Sequence, residues 1–69
     1  MSTIVKIRRD PKSPCNRVNI INEYGSIDIH EPMTPELAHH LKDKDVIFAK
    51  VSFSAAKFKL LGLVKNPGW

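Results

Sequence analysis

With 69 residues, 42% of them hydrophobic and 26% charged, the chain has apolar material for one core and too little for two, so a single domain over 1–69 is expected. Eleven Lys and Arg against seven Asp and Glu leave a formal net charge of +4, which points toward anionic partners. One cysteine, Cys15, excludes an internal disulfide framework and suits a reducing compartment.

Residues 3–8 alternate, with Val5 and Ile7 on one face and Ile4, Lys6 and Arg8 on the other, as a half-buried strand requires. Residues 10–16 contain Pro11 and Pro14, which remove ladder donors, so this stretch is expected to be a surface loop. Residues 17–22 and 26–30 are short β-branched runs with Val18 and Ile20, then Ile27 and Ile29, on common sides. Glu23-Tyr24-Gly25 between them predicts a hairpin loop, with glycine supplying a positive φ.

Met33-Thr34-Pro35-Glu36-Leu37 reads as a helix start, since Thr34 can accept from orphan amides, Pro35 suits the first helical position and Glu36 complements the dipole. Leu37 and Leu41, four apart, share the face that packs on the sheet, and the helix is expected to end near Lys42. Residues 46–53 alternate again, with Ile47, Ala49, Val51 and Phe53 inward. Residues 57–65 follow with Phe58, Leu60, Gly62 and Val64 inward. That assignment turns Leu61 and Leu63 outward, so strand five is apolar on both sides. Such a strand is buried twice, either beneath the helix or against another subunit.

The order β-β-β-α-β-β is that of a small OB-like, partly open barrel with its helix between strands three and four. The alternative is a curved antiparallel sheet with one helix packed on it. Residues 44–51 (Lys44-Asp45-Val46-Ile47-Phe48-Ala49-Lys50-Val51) are similar to the fourth strand of translation-factor and ribosomal S1-type OB domains, with Lys44 standing where those domains carry glycine. Residues 25–65 are similar in element order to swapped-hairpin DNA-binding dimers, without their glycine-flanked hinge. Neither similarity assigns a family.

Charge is segregated along the chain. Residues 1–22 hold five basic and one acidic side chain, residues 23–45 two basic and six acidic, and residues 46–69 four basic and none acidic. If the basic strands come together, Lys6, Arg8, Arg17, Lys50, Lys57, Lys59 and Lys65 form one surface able to displace counterions from phosphates. Phe48, inside a basic strand, is expected either in the core or an interface or as the aromatic on which a base stacks, with Tyr24 and Trp69 the other candidates for exposure. One short helix excludes a helix-turn-helix. The expected function is therefore a small basic, non-enzymatic binding module for single-stranded nucleic acid. The alternative is a homo-oligomerising or accessory interaction domain that meets a protein partner through Leu61, Leu63 and Trp69.

No catalytic, metal or cofactor site is expected. His39 and His40 are adjacent and diverge by about 100° on a helix, so they cannot share one ion. Asp28 and His30 project to one side of strand three as an acid and base pair, but no nucleophile elbow or phosphate cradle accompanies them and no small-molecule substrate is implied. The amino terminus lacks the apolar run of a signal peptide and the longest apolar run, residues 60–64, is far too short to span a bilayer. A cytoplasmic, membrane-free protein is the expectation.

Overall fold

A computed structural model describes residues 2–54 and 57–68, the side chain of residue 57 excepted. Five strands and one helix follow one another as β1 (Ser2–Arg9), β2 (Arg17–Asn22), β3 (Asp28–Pro32), α1 (Pro35–Leu41), β4 (Val46–Ser54) and β5 (Lys57–Val64). The strands form a single sheet in the order β3-β2-β1-β4-β5, with all neighbours antiparallel. This is the open antiparallel sheet with one helix: β3 and β5 are its edges, and the OB-like closure that would pair them is absent among the described residues. β3 is poorly equipped for such closure. It has five residues and ends in Pro32, which has no N–H to offer a neighbour.

Val5 and Ile7 of β1, Val18 and Ile20 of β2, and Ile47, Ala49 and Val51 of β4 line one face and are at most 5% exposed. Leu37 and Leu41 close the core from above, with Ile29, Met33, Phe53, Phe58 and Leu60 packed around its margin. Alternation in β1, β2 and β4 predicts these inward positions correctly, because a side-chain period of two sends them to a common face; Phe48 and Asn19, buried on the other face, it does not predict.

The helix starts as its residues dictate. Thr34 is the N-cap, its hydroxyl accepting from the Leu37 amide at 3.1 Å, and Pro35 occupies the first turn. Its other end is held from β1. Arg9 donates to the carbonyls of Leu41 and Lys44, both at 2.9 Å, placing a guanidinium on the negative end of the helix. Asp43 then reverses the chain with φ of 61°, a left-handed conformation that aspartate tolerates better than most residues.

Two expectations are corrected. β3 begins at Asp28 rather than residue 26, because Asn22 captures the preceding segment: its Oδ1 accepts from the Ile27 amide at 3.0 Å and its Nδ2 donates to Ser26 Oγ at 2.7 Å. In β5 the alternation breaks. Lys50 pairs with Gly62 but Val51 pairs with Leu60, so Leu61 is the extra residue of a β-bulge. Beyond it the parity inverts. Leu63, opposite buried Ala49, is on the helix-covered face, while Gly62 and Val64, opposite Lys50 and Phe48, are on the other. Leu61 and Leu63 stay 49% and 44% exposed, so the helix does not cover them. No helix among the described residues is long and apolar enough to cross a membrane.

Candidate nucleic-acid interface

Residues paired across a ladder share a face, so register alone decides where each basic side chain goes. On the face away from α1, Lys6 lies opposite Ile21 and Phe48, Arg8 opposite Asn19 and Val46, Lys50 opposite Ile4 and Gly62, and Lys59 opposite Ser52. Arg17, alternating with inward Val18, joins them opposite Pro32. Lys6, Arg8, Arg17, Lys50 and Lys59 are thus brought to one outer face. Arg9, on the covered face opposite Val18, is instead consumed by the helix. Lys57 pairs with Ser54, its side chain lying outside the described part. Lys65 is exposed but follows the last strand, and Trp69 lies outside the described residues.

No Asp or Glu occurs in β1, β2, β4 or β5; strand-borne acid is confined to Asp28 and Glu31 of β3. The outer face is therefore positive across four strands, with its negative charge gathered at one edge. Successive outward side chains on a strand are about 6.6 Å apart, so Lys6 and Arg8 continue the line that Lys50 begins beside Ile4.

Phe48 lies on this face but is only 7% exposed, which leaves little of its ring for a base to stack on. Among the described residues the large exposed aromatic is Tyr24, at 85%, in the loop joining β2 to β3. This loop is built by its neighbours: Gly25 adopts φ of 73° and its amide donates to the Asn22 carbonyl at 3.2 Å. Asn22 grips Ser26 and Ile27 on the far side. Of the two alternatives for Phe48, buried side chain or stacking platform, the fold takes the first; Tyr24 is marked in the sequence by the glycine that follows it, the sign of a turn tip.

Two buried side-chain polar atoms among the described residues have no hydrogen-bond partner, Arg8 Nε and Asn19 Oδ1. They belong to ladder partners on the basic face. A donor and an acceptor buried unpaired cost about 1–3 kcal/mol each, and sequence alternation identified only the arginine.

Asp10, 4% exposed, organises the edge of the face near β3. Its Oδ1 accepts from the Lys12 amide at 2.9 Å and its Oδ2 lies 3.1 Å from His30 Nδ1. A carboxylate only accepts, so His30 carries the proton on Nδ1. The Lys12 amide, and after it the His30 hydrogen bond, hold the Asp10 carboxyl below the usual carboxylate range. His30 Nε2 lies 3.9 Å from Asp28 Oδ1, which puts the expected pair at salt-bridge distance with a second carboxylate behind it. No hydroxyl or thiol bonds to His30 among the described residues, and no group of three or more His, Cys, Asp and Glu could hold a metal ion there. The cluster's visible work is to fasten the 10–16 loop to β3.

The chain matches no family model, no curated protein and no solved structure.

Proposed function

We propose that this protein is a non-enzymatic binding module that holds single-stranded nucleic acid on the outer face of its sheet. The observation that carries this reading is the register: five basic side chains from β1, β2, β4 and β5 share the face opposite the helix. A surface positive across four of its five strands attracts a phosphate chain, and the acidic β3 edge biases it toward the other strands. An open sheet face accommodates an extended strand without needing a groove shaped for duplex.

The reading is tested by retention of labelled oligonucleotides as salt is varied. Each phosphate neutralised contributes about −0.7 to the slope of log K against log salt for a single strand, so five contacts set a limit of about −3.5. The pair Lys50→Ala and Lys59→Ala, both exposed, is expected to flatten the slope by about 1.4. Absence of binding at about 50 mM salt, where phosphate attraction is strong, overturns the proposal.

A second reading has its own support. β5 is an edge strand of eight residues without proline, and it carries Leu61 and Leu63 half exposed. Exposed apolar side chains on a sheet edge are a surface for another chain, which favours homo-oligomerisation or capture of a protein partner through these leucines, at the end of β5 away from its Lys57 and Lys59.

A further inference from the structure

Beside the basic face is a cavity of about 470 Å³ bounded by Ser2, Ile4, Glu23, Tyr24, Lys50 and Pro67. We propose that it holds one unpaired base of the bound strand, stacked on Tyr24 with its edge toward Glu23. This rests on the reading of the outer face as a strand-binding surface and adds to it a site where a base, rather than a phosphate, is recognised.

Each wall suits that occupant. The volume falls within the range of small-ligand pockets. Ile4, 39% exposed, offers apolar surface for a ring, and Tyr24 offers a second face at the turn tip. Both flanks of this turn are tied by Asn22, whose side-chain bonds to Ser26 and Ile27 hold the loop in place. A base stacking there meets a loop already ordered, which lowers the entropy lost on binding. Lys50 is the ladder partner of Ile4, so a cation stands at the mouth where the nucleotide's phosphate would emerge. From there Lys6 and Arg8 continue along β1, two and four residues beyond Ile4.

Glu23 decides which part of the nucleotide enters. A carboxylate repels phosphate but accepts from an exocyclic amine such as cytosine N4. The site therefore takes the base inward and leaves the phosphate on the lysine side. The same carboxylate favours bases carrying an amino group over thymine and uracil, which present a carbonyl in its place.

The test is fluorescence anisotropy of labelled single-stranded homopolymers, as DNA and as RNA, at about 50 mM salt. Tyr24→Ala is expected to weaken binding roughly ten- to hundredfold, the range that stacking of one base supplies, with the salt slope unchanged because no phosphate contact is lost. Tyr24→Phe keeps the ring and is expected to stay within about twofold of the parent. Glu23→Gln is expected to erase the preference for cytosine over thymine. Since Tyr24 is 85% exposed, its substitution leaves the fold intact. A parent that binds strands and a Tyr24→Ala protein that binds them equally well overturns the base site alone. A parent that binds no strand overturns the face and the site together.

Discussion

Asp10 and Asn19 are the two buried polar residues among the described residues, and the fold treats them in opposite ways. Asp10 has both carboxylate oxygens engaged, by the Lys12 amide and by His30, whereas the Asn19 carbonyl has no partner. Engagement of the ionised form is why the Asp10 carboxyl titrates below its ordinary value, and a lowered folded pKa has a definite linkage sign. Its stabilising contribution is fully present above about pH 4, the unfolded value, and disappears as pH falls through the lowered folded one. Asp10→Asn retains an acceptor for Lys12 but loses the charge. The expected outcome is a lower urea midpoint than the parent at about pH 6, with the difference narrowing below about pH 4; a difference independent of pH counts against the charge as its cause.

At the scale of the element, α1 shows local signals and tertiary contacts contributing in unequal amounts. It has seven residues, too short to persist in water by propensity, since isolated helices under about 12 residues are marginal. Its cap and its proline define where it starts; its burial makes it exist. Thr34→Ala, which removes the bond to the Leu37 amide, is expected to cost about 1 kcal/mol. Leu41→Ala, at a side chain with no exposed surface, is expected to cost about 2–5 kcal/mol. Chemical denaturation of both variants checks the ranking, and a reversed order removes the claim that packing dominates. β5 teaches the complementary lesson. Its inward set follows alternation as far as Leu60 and then inverts at the bulge, and a bulge has no composition that distinguishes LLGLV from an unbroken strand. Gly62 was the one hint, because glycine inside a strand often accompanies a bulge.

Across the whole molecule, the sheet has a positive face, a helix-covered face, an acidic edge at β3 and, on the β5 edge, two half-exposed leucines beyond its lysines. The β5 edge, with Leu61 and Leu63 half exposed, makes a claim separable from that of the face. If it joins copies of the chain, light scattering at micromolar concentration reports more than one subunit, and Leu61→Ser with Leu63→Ser shifts the mass to a monomer without adding charge that would itself strengthen oligonucleotide binding. A mass that is monomeric for the parent removes the self-association reading. If the face and the edge act together, the double variant weakens strand retention as well, since a second copy would add its own cations.

Alternating apolar residues in β1, β2 and β4, the Thr34-Pro35 start and the prolines of the 10–16 loop were enough to specify element order and most of the core, because these signals act over a few residues and a period of two sends the apolar set to one face. The same periodicity carried Lys6, Arg8, Arg17, Lys50 and Lys59 to a common side once strands were paired. Tertiary structure alone decided which strands became neighbours and that the sheet stayed open. It also decided the bulge at Leu61, the recruitment of Arg9 by a helix end more than thirty residues away, the burial of Phe48 and the cavity beside Tyr24. Each of these depends on groups distant in the chain meeting in space, and a one-dimensional pattern holds no record of which distant groups will meet.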